Sequence, residues 1–551
     1  MNLFWTSWAP ELFCLNGIIG RRIYSSLAET WIQPEYRLGQ SMNSTKTSIL
    51  SSVINPIGLS SKASASMGSL NLLNFSSTSL NFFNLKSPTG PFWSSVTPSY
   101  WASTVRLRTA FLLWQSPYEI VQLSAGFTRT EWTTGLCIMR NLAAALILRV
   151  SQSWFTVAKR TGAEYSLLVR RSVMGQCLMV QSTDRMNFYL SLELQSFCFI
   201  VLCSFDTTSL YSVEAAMKYF LLSAFASICL RFGTGLLYWS TGQTHLASRS
   251  QFLSLRTTDS ETLFLNSPQP SFQIGIWLVS LALLWKLAAA PLHMWAVDVY
   301  QGSLSSVTLL ISTLPKLALL GFWMSQWTPL WHSTFGNLLV VFSACSLIIG
   351  AFGALSQTHL KRFLAYSSIG HMGFLLMPLC ASVGAESALL THFLLYAITS
   401  LAIWGLLMWP WFRHAQTSAT PIYLSDLAIL WKTHPIAAWT FALTMTSLAG
   451  LPPFAGFLGK LGIFWWSRNQ GQYALLFIAL GSTLVSSVYY LRILRIMYLD
   501  NPKDWNSTNQ RTPTSGYIIA FCSLIILSFL WYSSPIVLMT QWLSSGIVPT
   551  F

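Results

Sequence analysis

The stretch KLAAAPLHMWAVDVYQG, residues 286–302, interrupts one of the long apolar runs of this chain. It begins with a lysine, and Pro291 removes a backbone hydrogen-bond donor from its middle. A second interruption, SLAGLPPFAGFLGK at residues 447–460, contains two prolines and three glycines before its final lysine. Neither stretch can continue as one straight helix. The sequence therefore predicts two broken helices, each with a lysine beside the break.

The composition around these breaks is that of a membrane protein. The chain has 551 residues, of which 53% are hydrophobic and only 9% are charged, whereas soluble domains carry about 25% charged residues. The mean hydropathy of +0.49 agrees with many membrane spans. This excludes a soluble enzyme or a disordered protein. The net charge of +15 is not concentrated in long basic runs, so we predict orienting loops and no nucleic-acid partner.

The apolar segments are continuous and mostly about 20 residues long, enough for a helix to cross about 30 Å of hydrocarbon. A β-barrel would need alternating polarity, so the fold class is an all-α polytopic membrane protein. Polar segments at 241–270 and 410–433 are predicted loops. The predicted spans are 132–158, 165–182, 187–205, 213–239, 272–290, 304–323, 335–355, 360–382, 385–409, 434–466, 472–499 and 514–540.

The first 130 residues differ in composition from the rest. They are rich in Ser and Asn, and we predict one helix at 11–27 and a weaker one within 47–73 or 99–115. Glu11 lies inside the first apolar stretch, which is unlike a cleavable signal peptide. The proposed division is an N-terminal region (1–130), a core (131–500), and a C-terminal loop with a last helix (501–551).

Ionisable residues inside the spans are the most informative signal. A charge at the bilayer centre costs about 2.5–3.5 kcal/mol on insertion scales, so several such residues must share pairs or hydrated cavities. A carboxylate beside a desolvated lysine favours the protonated amine, and its removal favours proton release. We therefore predict a proton relay; the alternatives are lysines that snorkel to the headgroups and a satisfied interior imidazole. The relay candidates are Glu193, Lys218, Lys286, Lys316, His371 and Lys460.

Other chemistry is not evident in the sequence. There is no GxGxxG after a strand, no Walker motif, no HExxH and no CxxC pair. We therefore predict no nucleotide, flavin, metal or iron–sulfur site on this chain. Four arginines within or at the ends of apolar spans have no assigned role: Arg149, Arg170, Arg171 and Arg231.

Five stretches, taken in order, resemble the antiporter-like subunit 2 of respiratory NADH:ubiquinone oxidoreductase (complex I), in particular the mitochondrial form of plants and algae. The resemblance covers about residues 165–500. Two departures are the Ser/Asn-rich stretch before residue 130 and the arginines at 170–171, where the family is apolar. The stretches are YLSLELQS (189–196), VEAAMKYFLLSAFAS (213–227), KLAAAPLHMWAVDVYQG (286–302), LKRFLAYSSIGHMG (360–373) and SLAGLPPFAGFLGK (447–460).

The resemblance implies about fourteen transmembrane helices in an antiporter-like fold, with two inverted five-helix repeats that each contain one broken helix. It implies that Glu193 is the acid of the fifth helix and Lys286 its partner. Lys316 would be the central lysine, and Lys460 the lysine of the second broken helix. The positions of Lys218 and His371 resemble an auxiliary polar axis.

The implied function is proton translocation, coupled to electron transfer from NADH to ubiquinone in other subunits. The chain would belong to a translocase of the mitochondrial inner membrane. The expected partners are other membrane-arm subunits, including neighbouring antiporter-like subunits, and lipids such as cardiolipin. NADH, FMN, iron–sulfur clusters and ubiquinone are expected elsewhere in the assembly, with no cofactor on this chain. The alternatives are a stand-alone cation/proton antiporter and a non-conducting structural scaffold.

Overall fold

The structure, a computed structural model, is almost entirely helical in the part of the chain that it describes. It describes residues 91–115, 121–124, 126–157, 163–207, 209–246, 270–328, 336–380, 384–409, 412–414, 417–419, 423–500, 513–529 and 531–546. The helix predicted at 11–27 lies outside these residues. The helix predicted near 99–115 is present, and it begins earlier, at Pro91.

Seventeen α-helices follow one another in the described residues. The first eight are α1 (Pro91–Gln115), α2 (Glu131–Val157), α3 (Ala163–Gln181), α4 (Arg185–Cys203), α5 (Leu210–Thr241), α6 (Pro270–Lys286), α7 (Met294–Gly302) and α8 (Ser305–Phe322). The others are α9 (Gly336–Leu355), α10 (Leu360–Cys380), α11 (Glu386–Leu407), α12 (Leu430–Thr433), α13 (Pro435–Ala449), α14 (Ala455–Asn469), α15 (Tyr473–Leu499), α16 (Pro513–Ser528) and α17 (Ser534–Ser545).

The apolar runs account for the long helices. Eight of the described helical segments are long and apolar enough to cross a membrane: those built on α2, α4, α5, α8, α9, α10, α11 and α15. Inside hydrocarbon the backbone groups must be satisfied within the segment, and a helix does this. The chain is therefore a multi-pass membrane protein.

Short elements lie where loops were predicted. Two small antiparallel hairpins pair β1 (Val121–Ser124) with β2 (Phe127–Arg129) and β3 (Phe412–His414) with β4 (Thr417–Ala419). A 3₁₀ turn at Leu424–Ile429 then leads into α12. The hairpin of β3 with β4 and the 3₁₀ turn lie within the segment 410–433 that was predicted to be a loop, so that prediction was wrong in detail. The hairpin of β1 with β2 lies in the N-terminal region.

The C-terminal span was predicted as one helix at 514–540, and this was wrong. The structure divides it into α16 and α17, with residues 529–533 between them. Pro535 lies in the first turn of α17. Proline disfavours the helical conformation of the residue before it, so a new helix begins here.

The first predicted break separates α6 from α7. The carbonyl of Trp285 accepts a hydrogen bond from the backbone N–H of Ala288 at 3.0 Å and from the indole of Trp295 at 2.9 Å. Ala288 has a positive φ of 58°, which turns the chain out of the helix. A carbonyl freed by the break is thus satisfied within the protein, as is required at membrane depth.

The second predicted break separates α13 from α14. Gly450 ends α13 with φ 81°, a conformation that favours glycine. At the start of α14 the backbone N–H of Gly456 donates to Oγ of Ser447 at 3.2 Å. Both breaks, predicted from proline and glycine content, are confirmed.

The helix α8 forms the centre of the bundle. Every residue from Ser305 to Phe322 is buried, and α8 packs against α2, α3 and α11. By contrast, only a third of the most apolar window of α5 or α15 is buried, so these two helices lie at the periphery. A polar residue on α8 is therefore enclosed by protein on all sides.

Two of the four arginines left without a role, Arg149 and Arg231, make contacts between helices, and so does Arg106. Arg106 of α1 donates to Oδ1 of Asn141 at 2.8 Å and to the carbonyl of Arg170. Arg149 of α2 donates to Oγ of Ser103 at 2.8 Å. Arg231 of α5 bonds to the hydroxyl of Tyr189 and lies over its ring. These guanidinium groups therefore join neighbouring helices.

Candidate functional site

Glu193 and Lys286 form an ion pair between two helices. Glu193 lies in the middle of α4, and Lys286 is the last residue of α6. The distance from Nζ of Lys286 to Oε1 of Glu193 is 3.7 Å, and the two side chains are 8% and 16% exposed, respectively. Each charge is thus compensated by the other at membrane depth, as expected for ionisable residues there.

Two serine hydroxyls complete this pair. Ser227 of α5 donates a hydrogen bond to Oε1 of Glu193. Nζ of Lys286 donates to Oγ of Ser196 at 3.3 Å, and Ser196 lies three residues after Glu193 on the same face of α4. The helices α4, α5 and α6 therefore position the pair together.

Lys316 lies on the central helix α8 and is only 4% exposed. Its Nζ is 5.7 Å from the ring centroid of Tyr396, a distance at which an aromatic face attracts a cation. Lys460 is equally buried. Neither side chain reaches the surface of the bundle, so the geometry does not support snorkelling for these two lysines.

A small cavity, here called the first cavity, joins Lys286 to Lys316. It has room for about one water molecule. The two lysines thus line the same cavity inside the bundle. The polar side chains that line it are Gln195, Tyr219, Ser223, Lys286, Tyr300 and Lys316.

Lys460 binds the end of the broken helix that precedes it. Its Nζ donates to the carbonyls of Leu448 and Ala449 at 2.9 and 2.8 Å. These are the last two residues of α13, whose C-terminal end carries partial negative charge. The second break thus supplies the ligands for its own lysine.

His371 lies close to Lys460, and both line a further cavity. Nδ1 of His371 is 3.5 Å from Nε2 of His392 on α11. The ring of His371 also lies 5.0 Å from that of Tyr396, centroid to centroid. Since Tyr396 contacts Lys316 as well, His371 lies between the two lysines.

Lys218 belongs to a separate group of charges. Its Nζ lies 2.8 Å from Oε1 of Glu214 and 2.8 Å from Oδ2 of Asp298, and its side chain is 42% exposed. Lys218 is nine residues before Ser227 on α5, which corresponds to about 13 Å along a helix. The structure therefore does not bring Lys218 into contact with Glu193.

Three residues of the site were not predicted from the sequence: His392, Ser196 and Ser227. His392 is 2% exposed within apolar α11, and the rule that identified His371 would have found it. The two serines carry no such signal, because hydroxyl side chains are common in membrane helices and their partners depend on helix packing. Among the described residues, no group of three or more His, Cys, Asp or Glu is placed to hold a metal ion.

Comparison with known sequences identifies the family. Residues 182–486 match the sequence profile described as NADH:quinone oxidoreductase/Mrp antiporter, TM, which is more than half of the chain. The chain belongs to this family. It is 33% identical over 406 residues to NADH-ubiquinone oxidoreductase chain 2 of Marchantia polymorpha, covering 73% of this chain and 80% of the relative.

Bacterial members of the oxidoreductase family are about as similar. NADH-quinone oxidoreductase subunit N of Pelagibacter ubique is 32% identical over 442 residues, covering 78% of this chain and 88% of the relative. The chain therefore falls in the subunit N/chain 2 group of the family, which contains both mitochondrial and bacterial proteins.

Solved structures of this fold resemble the chain over most of its length. A chain of respiratory complex I from Thermus thermophilus superposes with a TM-score of 0.66 at 23% identity, covering 80% of this chain and 93% of that one. A chain of the Mrp complex from Dietzia also gives 0.66, at 19% identity, covering 83% and 93%. These likenesses show the antiporter-like fold.

Proposed function

We propose that this chain is a membrane subunit of respiratory complex I and translocates protons through a series of buried lysines. The observation that carries the proposal is the order Glu193/Lys286, Lys316, Lys460, in which every side chain is at most 16% exposed and lies in or beside an internal cavity. The relatives of subunit N/chain 2 type support the assignment to the oxidoreductase complex.

The mechanism is electrostatic. A proton that loads the Glu193/Lys286 pair raises the positive potential at Lys316 across the first cavity. Lys316 then favours transfer of its own proton towards Lys460, because like charges in a weakly screened interior repel. Lys460 releases a proton to the other side of the membrane. Contact between Glu193 and Lys286 favours the protonated amine. The pair therefore takes up the next proton when this contact forms again, which restores the starting state.

The broken helices suit such a relay. We propose that α3–α8 and α9–α15 are the two five-span repeats. In this count α6 with α7 and α13 with α14 are each one span, and the four-residue helix α12 is not a span. In both repeats the fourth span is the broken one. The second broken span comes five spans after the first, so it would cross the membrane in the opposite direction. Inverted repeats with paired broken helices are typical of transport proteins.

We propose that electron transfer takes place in the other subunits of the complex. NADH, FMN, iron–sulfur clusters and ubiquinone would be bound by other subunits, and this chain would contact neighbouring membrane-arm subunits and lipids such as cardiolipin. The many exposed apolar side chains of α4 and α5, among them Leu190, Phe197 and Phe225, support a surface covered by such helices or lipids.

We also propose the mitochondrial inner membrane as the location. The plant chain 2 relatives support it, while the bacterial relatives support a respiratory membrane in general. Fractionation would test the location: co-sedimentation with mitochondrial inner membrane is expected, and recovery in a bacterial cytoplasmic membrane would contradict it.

A stand-alone cation/proton antiporter is the second candidate, because the description of the matching family also names Mrp antiporters. Purification in mild detergent separates the two. A complex I subunit migrates with a large assembly that oxidises NADH, and the chain alone in liposomes gives no cation/proton exchange. Exchange by the isolated chain, without such an assembly, would contradict the proposal.

A non-conducting scaffold is the third candidate. A scaffold that conducts no protons would not require buried charges, and such charges are costly at membrane depth. The scaffold would be favoured if joint neutralisation of the acid and the three relay lysines left proton pumping by the complex unchanged.

A further inference from the structure

Three internal cavities lie in a row between Lys286 and Lys460. The first cavity, defined above, shares Tyr300 with a middle cavity, and the middle cavity shares Ser367 with a last cavity. The polar side chains of the middle cavity are Tyr300, Ser312, Ser367, Ser368, Tyr396 and Ser400. Those of the last cavity are Ser367, His371, Lys460, Ser482, Ser486, Tyr489 and Tyr490.

Hydroxyl groups from several helices face these cavities. Those of Tyr300, Ser368 and Tyr396 all line the middle cavity. Ser367, the next residue on α10, is hydrogen-bonded to the hydroxyl of Tyr490. Four helices, α7, α10, α11 and α15, therefore contribute hydroxyl groups to the cavities from the first to the last.

Hydroxyl groups are suited to proton transfer because each has one donor and two acceptor lone pairs. The same side chains are fully enclosed: Tyr300 and Tyr490 are each 1% exposed. A tyrosine that only filled space in an apolar bundle would need no hydroxyl, and a buried hydroxyl without a partner would be costly. For Tyr490 the partner is the hydroxyl of Ser367, which lines both the middle and the last cavity.

We propose that the hydroxyl groups of Tyr300, Ser367 and Tyr490 carry protons between Lys316 and Lys460. The inference rests on the proposed relay and specifies its connecting step. The ammonium of Lys316 gives a proton to an oxygen of the row or to a water in a cavity. Each oxygen that accepts a proton passes one of its own protons on: through a water in the middle cavity between Tyr300 and Ser367, and directly between Ser367 and Tyr490. The neutral amine of Lys460 takes up the last one. Every oxygen regains one proton, so no group is consumed.

The histidines offer a different connection between the same lysines. Nδ1 of His371 and Nε2 of His392 are 3.5 Å apart, which is the outer limit of a hydrogen bond. The hydroxyl groups of Tyr300, Ser367 and Tyr490, here called the hydroxyl row, include a direct hydrogen bond between Ser367 and Tyr490. The row also meets the cavities of both lysines, so the geometry favours the hydroxyl row.

The test uses the whole complex in proteoliposomes, with NADH oxidation and proton uptake measured together. The variants Tyr300→Phe, Ser367→Ala and Tyr490→Phe each remove one hydroxyl and leave the rest of the side chain. We expect each to lower coupled turnover by about tenfold or more, since a positioned proton carrier contributes about 10²–10⁴ in rate. The control is Tyr165→Phe, a tyrosine with 1% exposure that lines none of the three cavities.

Rescue separates proton transfer from packing. Ser367→Thr keeps the hydroxyl and should retain most of the turnover that Ser367→Ala loses. Its solvent deuterium isotope effect on turnover should equal that of the unaltered complex. If the hydroxyl-free variants pump normally while Lys316→Met does not, the hydroxyl row is refuted and the lysine relay stands. If Lys316→Met also pumps normally, both proposals fail. Equal losses in Ser367→Thr and Ser367→Ala would indicate packing and would also overturn the inference.

Discussion

Oε1 of Glu193 lies 3.7 Å from Nζ of Lys286, and the same oxygen accepts a hydrogen bond from Ser227. The lysine ends the first half of a broken helix, whereas the acid belongs to an unbroken one. A movement of either helix would therefore change the compensation of two charges at once. This property makes the pair suitable as the loading point of a relay.

The first prediction concerns the acid. Glu193→Gln leaves Lys286 without its counter-charge, and we expect NADH-driven proton pumping to fall by about tenfold, the equivalent of 1.4 kcal/mol. The control is Glu214→Gln, which neutralises a 57% exposed carboxylate on α5 and should leave pumping nearly unchanged. Equal pumping by the two variants would contradict the role of Glu193.

The second prediction concerns Lys218, which the family resemblance places on an auxiliary axis. Because Lys218 pairs with two half-exposed acids away from Glu193, Lys218→Met should reduce coupled turnover less than Lys286→Met does. Exposed ion pairs contribute about 0–1 kcal/mol, so we expect at most about a fivefold loss. Turnover measured on both complexes at equal amount decides this, and a larger loss at Lys218 would oppose it.

The third prediction concerns the second break. A Cβ at Gly456 would lie 1.8 Å from the carbonyl oxygen of Ser447, whereas one at Gly462 would meet only Ala388, at 3.8 Å. Gly456→Ala should therefore destabilise the chain by roughly 1–3 kcal/mol or more and lower the yield of assembled complex on native gels. Gly462→Ala serves as the control and should assemble normally. Normal assembly of both variants would show that the close approach is not required.

The broken helices and the burial of Lys316 and Lys460 agree with the predictions from sequence, whereas Lys218 is 42% exposed. A proline removes a helical hydrogen bond, and a lysine is costly to place in hydrocarbon. Both effects can be seen without knowing which helices pack together, so Lys286, Lys316 and Lys460 could be selected from sequence alone. The structure then placed Lys286 and Lys316 on one cavity and His371 beside Lys460.

The remaining parts of the site depend on packing between helices. Nothing in the sequence shows that Ser227 of α5 contacts Glu193, or that Lys218 of the same helix contacts Asp298 of α7. The division of the C-terminal span at residues 529–533 had a local signal in Pro535. The hydrophobic pattern concealed it, because the apolar residues continue on both sides.

The most direct test of the relay is the number of protons translocated per electron by a complex that carries Lys316→Met. The control is Lys432→Met, which removes an exposed lysine on α12. We predict that Lys316→Met lowers the proton-to-electron ratio or, if coupling is strict, lowers pumping and turnover together, while Lys432→Met matches the unaltered complex. A complex with Lys316→Met that assembles, oxidises NADH at the normal rate and keeps the full proton-to-electron ratio would contradict the account.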